Sequence, residues 1–246
     1  DFVMAHLGLA QTYAQQGNAP ARDKAMEKVI ALADRANPKE KLYIQAWSER
    51  DGDKFLRILE EIIKRYPREK EAHYWLALNL QQGRKIHDVA IREYQKVLEL
   101  DPHYVGALGD ISFSYKHMGD FDKALEYVNR YVAAAPNEPS PLGDYLASLY
   151  LRMGQFDVAI EKCQEALSLK PDFNYALGNL VVAYGLKGDY REALKWADEK
   201  ISRSTLPQDK ADGYLLKAFF EYWTGAFLKA HEDAGKARKL AEAIEY

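Results

Sequence analysis

Residues 105–136, VGALGDISFSYKHMGDFDKALEYVNRYVAAAP, read as a helix, a sharp turn at Gly119-Asp120, a second helix and a proline stop. Residues 142–171, LGDYLASLYLRMGQFDVAIEKCQEALSLKP, repeat the reading in other letters, and so do residues 177–201, LGNLVVAYGLKGDYREALKWADEKI. A pattern recurring at a fixed period sets the architecture before any single residue matters. Ala90, Ala124, Ala159, Ala193 and Ala230 recur at spacings of 34, 35, 34 and 37 residues. Ala25 precedes them in phase, and Phe55 stands where the second unit should have its alanine.

Each recurring column has a physical cause. Gly83, Gly119, Gly154, Gly188 and Gly225 mark the turns between helices, where glycine closes a helix in the left-handed conformation without a Cβ penalty. Phe121, Phe156, Tyr190 and Phe227 follow the last four of these glycines by two residues and have the area to seal one helix pair against the next. Pro67, Pro102, Pro136 and Pro171 end the second helices, because proline biases its predecessor away from the helical region. The alanines let two helices approach closely, and enlarging Ala159 to leucine is expected to cost about 1–3 kcal/mol as overpacking.

Outward from this centre, seven helix pairs account for the chain. The units run roughly over 1–38, 39–68, 69–103, 104–138, 139–172, 173–206 and 207–246. Helices are expected near 104–118 and 121–134, 140–153 and 156–169, 173–187 and 190–203, and, after a looser connector, 209–224 and 227–244. Earlier pairs turn at Gly17, at Asp51-Gly52-Asp53 and at Gly83-Arg84-Lys85, the last with two extra residues before its alanine. No strand-like alternation interrupts the pattern.

Composition narrows the function. The 246 residues are 48% hydrophobic and 29% charged, with net charge -3 and pI near 6.1, which argues against a nucleic-acid partner. The basic cluster Lys64, Arg65, Arg68 and Lys70 is interrupted by Pro67 and Glu69 and reads as a solvated turn. Cys163 is the only cysteine, so neither a disulfide framework nor a thiolate zinc site can form within one chain; it falls in an apolar stripe and is expected to be buried. No apolar run nears the roughly 20 residues of a membrane span, and the start has no secretory core. No membrane insertion and a cytoplasmic location are therefore expected, and the first residue, Asp1, suggests a fragment of a longer protein.

These columns resemble the tetratricopeptide repeat family. Leu180, Val181, Tyr184, Gly188, Tyr190 and Ala193 fit its motif, as do Ile111, Ser112, Tyr115, Gly119, Phe121, Ala124 and Pro136. The resemblance covers essentially the whole chain and is most specific in the three central units. It implies an all-α, right-handed superhelical solenoid whose first helices line a concave groove and whose second helices form the outer wall. It implies a non-catalytic protein–protein interaction module that holds a peptide or partner domain and needs no cofactor. The repeat segments of multidomain bacterial proteins, including regulatory regions attached to kinases or cyclases, are similar.

The groove residues follow by stepping around the first helices away from the packing columns. They are Asp110, Phe113 and His117; Asp144, Tyr145, Ser148 and Arg152; and Tyr175, Asn179 and Val182. Flanking units add His73 and Tyr74 on one side, and Leu215, Phe219, Tyr222 and Trp223 on the other. Such a mixture of aromatics, single carboxylates and amides suits protein recognition. Family members that clamp a C-terminal carboxylate set lysine, asparagine and arginine at fixed groove positions. The matching positions here hold Gly109, Asp110, Phe113, Pro141, Asp144 and Tyr145, so no clamp is expected.

Two other functions fit parts of the sequence. Asp110 and His117 lie two turns apart on one helix face with Asp144 on the next, which would suit a small-ligand sensor or a weak metal site, although no nucleophile, phosphate loop or second histidine accompanies them. A self-assembling scaffold is the other: Phe2, Val3, Met4, Leu7, Leu9 and Tyr13 make the first helix too apolar for a free end, so an upstream domain or a second copy of the chain is expected to cover it, giving a homo-oligomer. The last helix, with Lys229, Glu232, Asp233, Lys236, Lys239 and Glu242, reads as a polar cap.

Overall fold

A computed structural model describes residues 3–15 and 18–243. Phe2 and Gly17 lie outside the described residues. Among those residues the regular structure is entirely helical. The helices gather into two compact units, Asp1–Pro102 and His103–Tyr246. The first holds α1 (Val3–Gln15), α2 (Ala19–Ala31), α3 (Pro38–Ser48), α4 (Gly52–Arg65), α5 (Lys70–Gln82) and α6 (His87–Leu100), with a 3-10 turn at Ala33–Arg35. The second holds α7 (Val105–Met118), α8 (Phe121–Ala134), α9, α10 (Phe156–Leu169), α11 (Asn174–Leu186), α12 (Tyr190–Arg203), α13 (Pro207–Trp223) and α14 (Phe227–Glu242). Helix α9 opens as a π-helical turn, Pro141–Leu146, and continues without a break as the α-helix Ala147–Arg152.

The helix starts are written in short polar side chains. Asp51, Asp120 and Asp189 accept from backbone N–H groups in the first turns of α4, α8 and α12, and Asn37 forms a reciprocal capping box with Glu40 at α3. Gly119, Gly154, Gly188 and Gly225 take φ of 81°, 74°, 82° and 81°, as a left-handed stop requires. Gly83 departs from its column. It stays right-handed at φ −77°, and Lys85 takes the positive φ of 56° instead, because the two extra residues of that turn move the reversal downstream. The connector before the last pair is also shorter than expected, since Pro207 already lies within α13.

Packing follows the columns. Ala90, Ala124, Ala159 and Ala193 are fully buried, and Ala25, Phe55 and Ala230 nearly so. In the first unit, Val3, Leu7, Val29, Tyr43, Phe55, Leu59 and Ile62 belong to one apolar cluster that reaches Leu76. In the second, Ala147, Cys163, Ala166, Ala176 and Leu180 join α9, α10 and α11, while Val181, Ala193, Ala197 and Phe220 join α11, α12 and α13. Burial pushes the Cys163 thiol up to about 12. Close helix approach is visible at Gly143, where a Cβ would stand 2.8 Å from the Cβ atoms of Ala166 and Ala176.

Two residues lie elsewhere than the sequence suggests. His73 is 2% exposed: its Nδ1 lies 2.7 Å from Glu93 Oε2 and its Nε2 lies 3.1 Å from the Pro67 carbonyl, so it ties α5 to α6 and to the preceding turn. Asp233 is buried, paired with Lys236 at 2.7 Å and Lys217 at 3.5 Å, because α14 turns that face onto α13. At the other end Val3, Leu7 and Ala10 are buried while Met4 and Leu9 stay exposed. No helix among the described residues is long and apolar enough to cross a membrane.

Candidate functional site

In the second unit the first helices of successive pairs, α7, α9, α11 and α13, lie side by side. Hydrogen bonds fix their spacing. Lys116 on α7 donates to Ser148 on α9 at 2.8 Å, and Asn179 on α11 donates through Nδ2 to the Gly143 carbonyl on α9 at 2.8 Å. Asn174 on α11 donates to Asp209 on α13 at 2.8 Å. The sequence-derived side chains of this unit stand on these four helices, and their exposure varies along the row.

At the α7–α9 end the face is polar. Phe113 is half-buried and His117 exposed, their rings 4.2 Å apart between centroids, and the Lys116 ammonium stands 5.2 Å from the Phe113 centroid. Burial lowers the Lys116 ammonium below the ordinary lysine range; Asp144 opposes this and Arg152 adds to it. Burial raises the Asp144 carboxyl, with Lys116 pulling the other way. Arg152 is exposed at the C-terminal end of α9. Tyr145 is less available than its position implies. Its ring packs against Gly109, where a Cβ would meet the phenol at 2.8 Å, and against Tyr131 at 5.5 Å. Burial, followed by the charges of Asp110 and Asp144, raises its phenol far above the usual range.

At the α11–α13 end the face is aromatic. Tyr175 is 59% exposed. On α13, Leu215, Phe219, Tyr222 and Trp223 are each more than half exposed, while Ala218 and Phe220, on the two flanks of that stripe, are buried. A cavity of about 410 Å³ opens between the two helices, with Tyr175, Gly178 and Asn179 on one wall, Asp212 and Leu216 on the other and Lys200 from α12 at its base.

The sequence-derived residues thus separate. Asp110, Phe113, His117, Asp144, Tyr145, Arg152, Tyr175, Asn179, Phe219, Tyr222 and Trp223 all belong to the second unit. Tyr74 belongs to the first, where it contacts Trp75 and Tyr94 at centroid distances of 5.5 and 5.7 Å. Among the described residues no three His, Cys, Asp or Glu side chains converge as a metal-binding group. Sequence reasoning missed Lys116, Lys200 and Asp212. The signal for two of them was present: Lys116 lies three residues after Phe113, and Asp212 three before Leu215, one helical turn in each case.

Sequence models of the tetratricopeptide repeat match residues 80–147 and residues 146–204. The TPR repeat-containing protein YpiA of Bacillus subtilis (strain 168) is 29% identical over 153 residues, 62% of this chain and 34% of that protein. The probable UDP-N-acetylglucosamine--peptide N-acetylglucosaminyltransferase SEC of Arabidopsis thaliana is 34% identical over 78 residues, 32% of this chain and 8% of that protein. The chain therefore spans about a third of the first relative's length and under a tenth of the second's. Among solved structures, a tetratricopeptide repeat protein from Parabacteroides merdae ATCC 43184 matches with a TM-score of 0.69 at 15% identity, over 99% of this chain and 96% of that one, a likeness of fold. With the glycine, aromatic and alanine columns in place and the helices paired as they demand, the chain belongs to the tetratricopeptide repeat family, whose fold supports a scaffold role in protein–protein interaction.

Proposed function

We propose that this chain is a non-catalytic interaction module that holds a segment of a partner protein on the face built by α7, α9, α11 and α13. The observation that carries the reading is α13. Leu215, Phe219, Tyr222 and Trp223 fall at i, i+4, i+7 and i+8, a single stripe, and remain more than half exposed while Ala211, Gly213, Ala218, Phe220 and Glu221 of the same helix are buried. Aromatic residues of this kind dominate the energetics of protein interfaces, where truncating one can cost about 2 kcal/mol or more. The remaining sequence-derived residues, Asp110, Phe113, His117, Asp144, Tyr145, Arg152, Tyr175 and Asn179, supply the polar end of the same face.

Chemistry is not part of this reading. Cys163 is buried with its thiol raised, away from the face, and the contact of Lys116 with Ser148 is read as one of the bonds that space α7 and α9. A place within a longer bacterial protein, as scaffold or regulatory region, is supported by the fraction of the Bacillus relative that the chain spans. Self-association through α1 is a second reading, favoured by the exposure of Met4 and Leu9, and sedimentation over a range of concentrations would reveal it.

The test is affinity capture with the wild type and a Phe219→Ala, Trp223→Ala double variant. The variant is expected to lose the partners that the wild type retains. Recovery of the same partners by both would show that binding occurs on another face.

A further inference from the structure

Glycine inside a helix is destabilising relative to alanine, so a helix-interior glycine invites a look at its surroundings. At Gly109, Gly143, Gly185 and Gly213 a Cβ would run into a neighbouring side chain. At Gly178, in the middle of α11, it would not. Its nearest neighbours would be Lys200 Nζ at 3.8 Å and Leu216 Cδ1 at 3.9 Å, ordinary contact distances. Gly178 lines the cavity between α11 and α13.

Asp212 and Asn179 line that cavity, and two further carboxylates act on its Tyr175 wall. Asp144 on α9 and Asp209 and Asp212 on α13 all act on Tyr175, whose phenol is raised by burial first and by these three carboxylates in turn. Asp209 already accepts from Asn174, the two oxygens of Asn174 face the Lys200 ammonium, and the charges of Asp209 and Asp212 both favour that buried ammonium, leaving more carboxylates than cations around the cavity. Lys116 faces Asp144 from the far side. Asp212 has no cation within 4 Å among the described residues and accepts a 3.5 Å contact from the Gln208 amide. Asn179 has committed its Nδ2 to Gly143, which leaves its amide oxygen as an acceptor.

We infer that this cavity is a cation subsite: it takes an arginine or lysine side chain from the bound partner segment, held between the Asp212 carboxylate, the Asn179 amide oxygen and the ring of Tyr175. The inference rests on the peptide-binding reading of the same face and names the chemistry of the peptide. A ligand carboxylate would meet Asp144, Asp209 and Asp212 with like charge. A guanidinium brings donors to a set of acceptors and a flat cation to an exposed ring. The partner's apolar residues then lie on the α13 stripe. Asp212 and Phe219 are seven residues apart on one helix, about 10 Å, which an extended peptide covers in about three residues. The recognised segment is therefore a basic residue followed or preceded, three positions away, by a large apolar one.

The experiment uses the full chain and three fluorescein-labelled peptides that are identical except at one position, Arg, Gln or Glu, three residues from a leucine-phenylalanine pair. Anisotropy titrations at low salt are expected to rank them Arg, then Gln, then Glu, with about tenfold between the first two. The Arg-over-Gln preference is expected to shrink as salt rises and to fall about fivefold in Asp212→Asn and in Tyr175→Ala, with helical circular dichroism unchanged. Equal affinity for the three peptides, or a preference that survives both substitutions, overturns the cation subsite. If Phe219→Ala weakens all three alike in that case, the peptide-binding face stands without it. If none of the three peptides binds, the subsite and the peptide-binding reading fail together.

Discussion

At the scale of single residues, the glycines separate backbone needs from space. Gly178 and Gly185 sit in the same helix two turns apart, and their surroundings are opposite. A Cβ at Gly178 finds ordinary contacts, whereas one at Gly185 would stand 2.0 Å from Phe220 Cζ. Gly178→Ala is therefore expected to raise stability by about 0.5–1 kcal/mol through helix propensity. Gly185→Ala is expected to lower it by about 1–3 kcal/mol, because α13 must be pushed off α11. Urea midpoints at unchanged slope would read both effects. Shifts in the same direction would show that the two glycines do not differ in the space around them.

At the scale of helices and their junctions, the repeat columns were legible because each depends on local chemistry. Gly119-Asp120 needs only its own φ and the acceptance of a Lys123 N–H by Asp120 to end one helix and begin the next. The face was less legible, because exposure is decided by neighbours far along the chain. Tyr145 sits at a groove position yet packs on Gly109 from the preceding pair, and His73 is closed in by Glu93 from the next helix. That last bond straps α5 to α6 and has a pH signature. The hydrogen bond from His73 holds the Glu93 carboxyl below the usual glutamate range, against the opposing effect of burial. A depressed carboxyl pKa adds stability that is fully present above the unfolded value of about 4.3 and is lost as pH falls through the folded value beneath it. The stability margin of wild type over Glu93→Gln should accordingly shrink in acid as pH falls below the ordinary glutamate range. A margin independent of pH in that window would mean that the strap is held by the neutral acid as well as by the carboxylate.

At the scale of the whole molecule, repeat proteins gain stability from nearest-neighbour contacts, so a set of adjacent pairs with its own core can stand alone. The unit His103–Tyr246 meets that condition. Its clusters on α9–α11 and on α11–α13 lie within it, as do the bonds Lys116–Ser148, Asn179–Gly143 and Asn174–Asp209 that space its first helices. The whole aromatic face, from Phe113 to Trp223, lies inside the same unit. Residues 103–246 expressed alone are therefore expected to fold cooperatively, with a helical circular dichroism spectrum and a single thermal transition. They should also keep the arginine preference of the peptide titrations within about twofold, since additivity holds for sites that share no partners. A fragment that folds but loses the preference would place part of the recognition in residues 1–102. A fragment that does not fold would show that the pairs before Pro102 contribute to the core on which the face is built.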